Sequence, residues 1–173
     1  ISAKNNLNTV LIDDKNILGG TTIFQQNECF KIDSSYSNEW LKKEIESLKL
    51  LKNLTIKTRT TLAAYHSYNY LLARENLTDH LDLNEKKNKV RQRLWKIRAK
   101  KVIIATGAME RPLIFNNNDR PGIILSSSIK KYIDYYGVKC GQKVSLFTNN
   151  DSAYETAISL SNSGVSVNSV VDI

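Results

Sequence analysis

Asp13 and Asp14 stand together at the tip of Thr9, Val10, Leu11 and Ile12, four residues that form strands well. A carboxylate in that position can accept hydrogen bonds from the ribose hydroxyls of a dinucleotide. Six residues past Asp13 comes Gly19-Gly20, a turn with free φ and ψ, followed by Thr21 and Thr22. Such a loop could bring the glycine pair and Thr21 back over a bound cofactor. Acids at strand tips are also ordinary turn residues, and this segment alone leaves both readings open.

A second stretch has the same character. Val102, Ile103 and Ile104 are apolar and β-branched, and they predict a short strand buried on both faces. Ala105, Thr106 and Gly107 follow, small residues that let another molecule approach the backbone, then Arg111 and Pro112. A buried strand ending in tiny residues suits the carboxyl edge of an open α/β sheet, where ligands bind. A plain strand-to-loop turn fits the shape of the segment equally well.

Other chemistries find little support. Two histidines, His66 and His80, are too few for a zinc site without cysteine help, and Cys29 and Cys140 lie too far apart to give it. The cysteines are expected to be free, buried thiols in a reducing cytoplasm. No Ser/His/Asp or Cys/His arrangement and no G-x-S-x-G is present. The basic stretch from Lys86 to Lys101 contains Trp95 and could suggest a nucleic-acid groove. Its cations fall partly at alternate positions (Arg91 and Arg93, then Lys96, Arg98 and Lys100), which a strand face turned to water explains more simply.

The elements that would position these residues alternate between strand and helix. Ser37 is placed to cap a helix with Leu41, Ile45 and Leu48 on one face, ending near Asn53. Residues 54–58 alternate like a half-buried strand, and residues 60–65 and 70–74 flank Ser67-Tyr68-Asn69 as an antiparallel hairpin. Residues 82–90 read as a solvated loop, and 91–99 as a strand leading towards Val102. Residues 116–122 form a turn-rich connector and the predicted domain boundary. Beyond it, Ser128 precedes a helix bearing Ile129, Tyr132, Ile133 and Tyr136 and stopped by Gly137. A strand over 144–148, a helix opened by a Ser152/Glu155 capping box and closed by Gly164, and a strand over 165–171 complete a βαβ unit.

The fold class is therefore α/β: Rossmann-like dinucleotide-binding layers with an antiparallel β-hairpin insertion, then the start of a second βαβ domain. Residues 1–115 are assigned to the first domain and 116–173 to the second. The first lacks its glycine fingerprint, which should lie about 20 residues before the acid. Ile1 is only 12 residues upstream of Asp13, so residues 1–8 would be the tail of the first helix. The only methionine is Met109, so the chain is expected to be cut from something longer or to have lost its first segment. In the second unit the turn Phe147-Thr-Asn-Asn-Asp-Ser-Ala153 has no glycine. Asn149, Asn150 and Asp151 argue against a pyrophosphate there, which leaves a degenerate nucleotide-type unit or one serving another ligand or a subunit contact.

At 173 residues with 41% apolar composition the chain can bury a core, and it has no apolar window long enough to cross a membrane. The first ten residues show no signal-peptide pattern. The net charge of +8 is spread through a Lys-, Asn- and Ile-rich sequence and implies only weak attraction to polyanions.

Together, residues 9–20 and 102–107 resemble two signature segments of the two-dinucleotide-domain flavoproteins. Residues 91–99, 105–113, 117–122 and the glycine-free turn at 147–154 are more narrowly similar to the alpha subunits of heterotetrameric sarcosine oxidases, and the similarity runs through essentially the whole chain. The resemblance implies a cytoplasmic complex with beta, gamma and delta subunits that oxidatively demethylates sarcosine and passes the one-carbon unit to tetrahydrofolate. It implies amine oxidation at FAD in the beta subunit, FMN between alpha and beta, and a tightly bound NAD in the first dinucleotide site of alpha.

By position, Asp13, Asp14 and Lys15 would meet the adenosine ribose. Gly20 and Thr21 would follow, Leu62 would offer its backbone near adenine, and Ala105, Thr106 and Gly107 would line the rest of the cleft. The resemblance implies no catalytic residue and no metal in this stretch, and neither a membrane nor nucleic acid as partner. The 173 residues alone are expected to bind NAD weakly or not at all and to be inactive. Two other readings stay open: a piece of an FAD-dependent NAD(P)H oxidoreductase, which would need a working second dinucleotide site, and a non-catalytic module that docks another subunit.

Overall fold

The structure is a computed structural model that describes residues 1–24 and 31–173. Cys29 lies outside the described residues. In chain order the strands and helices are β1 (Thr9–Ile12), β2 (Lys31–Ile32), β3 (Ser35–Tyr36), α1 (Ser37–Lys49), β4 (Leu54–Lys57), β5 (Thr60–His66), β6 (Tyr70–Asn76), α2 (Leu83–Lys86), β7 (Gln92–Arg98), α3 (Ser126–Asp134), β8 (Lys143–Thr148), α4 (Ser152–Asn162) and β9 (Ser166–Asp172). Short 3-10 turns occupy Ala3–Asn5, Gly20–Phe24 and Ser67–Asn69. No helix among the described residues is long and apolar enough to cross a membrane.

The chain packs into two compact units, the first comprising Ile1–Gly20 and Glu39–Thr106, the second Thr21–Asn38 and Gly107–Ile173. Residues 116–122 therefore lie inside the second unit.

In the first unit β1 and β4 pair in parallel, Thr9 opposite Leu54 and Ile12 opposite Lys57. Parallel pairing requires a crossover, and α1 lies within it. Leu41, Ile45 and Leu48 recur on one half-buried side of α1, and a Lys4–Glu44 ion pair of 2.8 Å ties residues 1–8 to that helix. Asn53 Nδ2 donates to the carbonyls of Ala3 and Leu7 at 2.8 Å each, fixing the entry into β1.

The second sheet of this unit is antiparallel, in the order β5-β6-β7. Its centre is Ala73, fully buried between Leu62 and Trp95 in register. Glu75 on the same face accepts from Trp95 Nε1 at 2.7 Å and pairs with Lys57 (3.7 Å) and Arg93 (3.5 Å), while Lys57 Nζ sits 4.3 Å from the Trp95 ring. Two of the cations around this tryptophan thus already have a carboxylate partner.

The second unit is built around parallel β8 and β9 with α4 between them and α3 alongside. Ile129, Ile133, Leu146, Leu160 and Val165 form its core, with Val144, Ala157, Val167 and Val170 packed against them. Gly137 (φ +65) and Gly164 (φ +74) stop α3 and α4, and the Val165 N–H closes α4 on the Leu160 carbonyl at 3.0 Å. Only a residue at ease in the left-handed region ends a helix this way at low cost.

Several local expectations are corrected. Residues 102–104 form no strand: Ile103 is 80% exposed and Ile104 65%. An all-apolar strand needs ladder partners on both sides, and no described strand supplies one. Ser37 does not cap α1 but opens it, its Oγ buried without a hydrogen-bond partner among the described residues, and α1 ends at Lys49, short of Asn53. One helical turn, α2, interrupts the polar run at 82–90. The Ser152/Glu155 capping box does not form. Asp151 is already helical, and Asn150 Oδ1 takes the Ser152 N–H at 3.0 Å instead. Cys140 is free but exposed, not buried.

Candidate functional site

The most chemically suggestive point of the first unit is the carboxyl end of β1. Its ladder runs one residue past the strand, with Asp13 N–H donating to the Lys57 carbonyl at 2.9 Å. The chain then bends, and the bend is held from the start of β5. The Thr60 N–H donates to the Asp13 carbonyl at 2.9 Å, and the Arg59 N–H to the Lys15 carbonyl at 2.8 Å. Arg59 sits at φ +51, the left-handed conformation the reversal requires. Neither Arg59 nor Thr60 stands out in the sequence, because both act through the backbone.

Asp13 uses one carboxylate oxygen locally: Oδ1 accepts the Lys15 N–H at 2.9 Å, an Asx turn that fixes the side chain. Its Oδ2 accepts nothing among the described residues, and the residue is half-buried. A preset carboxylate with one open oxygen at the end of a parallel strand can accept from a hydroxyl of a bound ligand. Asp14 pairs with Lys15 Nζ at 2.7 Å. Both partners are about half exposed, so solvent and salt leave that pair little net worth.

Leu62 lies two residues beyond Thr60, on β5, opposite Ala73. A β-bulge between Leu62 and Ala64 leaves Ala63 out of register, and a bulge bends its strand and opens backbone groups there. Gly20 (φ +56) starts the 3-10 turn at Gly20–Phe24.

Asp13, Asp14 and Lys15 thus sit together at the carboxyl end of β1, and Leu62 lies further along β5, the strand whose start holds that bend. Ala105 and Thr106 belong to the first unit as well and are exposed. Thr21 and Gly107 belong to the second unit. Gly107 has φ +73, and a Cβ there would meet nothing within 4 Å, so its backbone conformation, not crowding, calls for glycine.

The carboxyl edge of β8 and β9 is organised differently. Thr148 Oγ1 donates to the Asn150 carbonyl at 2.8 Å and accepts the Asn150 N–H at 3.1 Å. The Asn150 side chain occupies the first amide of α4. Tyr154 donates its phenol hydrogen to Asp172 Oδ2, at the end of β9, over 3.0 Å. The first amide of α4 and the carboxylate at the end of β9 are thus both engaged by the protein's own side chains.

The bond to the Asp172 carboxylate, and then that carboxylate's charge, raises the Tyr154 phenol above its ordinary value. A raised phenol pKa adds stability below about pH 10, and that contribution is lost as pH rises through the folded value. Ultraviolet titration should show Tyr154 ionising above its ordinary value, and Asp172→Asn should bring it back down. A profile unchanged by that substitution would show the bond is not made in solution.

The same strand–helix–strand architecture defines the class to which the chain is comparable. The crystal structure of L-proline dehydrogenase from P.horikoshii superimposes with a TM-score of 0.70, covering 99% of this chain and 31% of that one at 24% identity. That likeness shows a shared mixed α/β fold. The sequence relatives are sarcosine oxidase alpha subunits. Those of Corynebacterium sp. strain U-96 and strain P-1 are 37% and 35% identical over 163 residues, and that of Rhizobium meliloti (strain 1021) is 32% identical over 163. Each alignment covers 94% of this chain, which spans only 16–17% of the length of those relatives. No protein-family profile matches. The resemblance read from the glycine-free turn and the segments around it is therefore real and extends along nearly the whole chain.

Proposed function

We propose that this chain is the NAD-holding portion of a sarcosine-oxidase-type alpha subunit, in an amine-oxidising flavoenzyme complex. The carrying observation is Asp13, a carboxylate locked by its own Asx turn at the end of a parallel strand, with Oδ2 accepting nothing among the described residues. It fits the ribose of an adenine nucleotide. In this reading residues 1–115 are part of a Rossmann-like domain with β5 and β6 as its hairpin insertion, and residues 116–173 begin a degenerate second one.

Asp13 accepts from the adenosine ribose, and the Asp14–Lys15 ion pair borders the same ribose side. Gly20 follows in the loop after Lys15, and the bulged backbone at Leu62 borders adenine. Ala105 and Thr106, in the same unit as Asp13, line the remaining length. The nicotinamide nucleotide would supply a hydride-accepting ring. The whole protein works in the cytoplasm with beta, gamma and delta subunits. There FAD, FMN and tetrahydrofolate handle the amine and the one-carbon unit, and sarcosine is the substrate.

A reductase reading needs a second working nucleotide site, and Asn150 and Tyr154 fill that position themselves. The test is to purify the full-length subunit in its complex, denature it, and identify the released nucleotides by mass spectrometry. NAD released in proportion to the alpha subunit supports the proposal. FAD held by this subunit, with NAD(P)H reductase activity, replaces it with the reductase reading, and no nucleotide at all leaves a docking module.

A further inference from the structure

The sheet β5-β6-β7 treats its cations differently on its two faces. Side chains alternate across a strand, and residues directly opposite one another share a face. On the face of Ala73 and Trp95, Glu75 answers both Lys57 and Arg93. The other face sets Tyr70, Leu72 and Arg74 of β6 opposite Arg98, Lys96 and Leu94 of β7. Arg74, Lys96 and Arg98 are exposed, and no carboxylate pairs with any of them among the described residues. No Asp or Glu stands at any paired position of this face.

These cations are close enough to feel one another. Neighbours two residues along a strand, or on a diagonal between strands, stand about 7–8 Å apart. That is within the screening length of about 8 Å at physiological salt, so the three repel with nothing on their own face to offset it. Apolar surface lies between them: Leu94 is 57% exposed and Leu72 half-buried. Tyr70 is no open platform for stacking bases, because Arg98 lies 5.5 Å from its ring and His66 packs beside it.

We infer that this face docks an acidic segment of another subunit, its carboxylates set against Arg74, Lys96 and Arg98 and an apolar side chain against Leu94. The inference rests on the reading of the chain as part of a multi-subunit enzyme. Three hydrated cations around a leucine suit a surface that meets its partner after folding, where opposite charge steers the encounter and fixes register. Permanent burial inside one domain would instead cost their solvation. The whole face belongs to the first unit, so it is complete without the second.

The test uses the full-length subunit in its complex. A zero-length carbodiimide joins a lysine amine to a carboxylate already in contact with it, and mass spectrometry of the digest should find Lys96 linked to an Asp or Glu of another subunit. Reversing all three charges (Arg74→Glu, Lys96→Glu, Arg98→Glu) should weaken association with that subunit about tenfold, read by sedimentation at fixed salt. Lys43→Glu, a single reversal at an exposed position of α1, sets the baseline. The milder Lys96→Gln should weaken association measurably if the triple variant fails to fold.

Lys96 linked only within its own chain, or to nothing, overturns the inference and leaves the complex standing. So does wild-type association in Lys96→Gln, or a triple variant no weaker than Lys43→Glu. Nucleic acid retained on this face in place of a subunit overturns it as well. A full-length protein that purifies without other subunits overturns the multi-subunit reading and the inference together.

Discussion

Truncating Leu160 to alanine is expected to destabilise the second unit by about 2–5 kcal/mol, the cost of removing a leucine from a packed core. Leu160 is 1% exposed and meets Ile129, Ile133, Leu146 and Val165 in one cluster. The loss combines transfer free energy with a cavity between α3, α4 and β8, which two parallel strands can collapse only in part. Ile158, on the same helix but 56% exposed, is the internal control, and its replacement by alanine should change stability by about 0.5 kcal/mol or less. Native-state hydrogen exchange of the β8 and β9 amides in the full-length subunit reads both. Equal effects of the two substitutions would contradict this placement of the core.

The second large effect belongs to Asp13. Asp13→Asn keeps Oδ1 as acceptor for the Lys15 N–H and so keeps the turn, but it makes the open oxygen a donor. If Oδ2 accepts from the ribose, NAD affinity in the full-length complex should fall by about tenfold to a hundredfold, the range for a charge-assisted hydrogen bond. Asp13→Ala should cost at least as much, because the Asx turn goes too. Asp14→Asn should matter much less, roughly a few-fold, since its half-exposed pairing with Lys15 is screened. Asp13→Asn with unchanged NAD retention would contradict the assignment of this carboxylate.

The local signals that proved legible were those carried within a few residues. Four β-formers before two acids, the Leu41, Ile45 and Leu48 spacing, and glycines at 137 and 164 each specify their element through neighbours. β1, the apolar face of α1 and the ends of α3 and α4 accordingly fall close to where the sequence places them. What escaped was decided by distant partners. The run at 102–104 has the composition of a buried strand, yet composition cannot provide the neighbouring strands that would bury it. The capping box at Ser152 lost to Asn150, whose side chain reached the same amide first. Ser37 yielded its cap position because the helix began one residue earlier than its apolar face suggests.

The candidate site divides along the same line. Asp13 was visible from its type and place, whereas its support from Arg59 and Thr60 is made of backbone groups that carry no residue signature. Tyr154 and Asp172 each stand at an element end, but only the parallel pairing of β8 and β9 brings them into hydrogen-bond range.

The most direct test is a crystal structure of the full-length subunit with its nucleotide bound. Asp13 Oδ2 is predicted to lie within about 2.5–3.0 Å of an adenosine ribose hydroxyl, the range of an O–H···O bond. A nucleotide seated elsewhere, with Asp13 turned to solvent, would contradict the account.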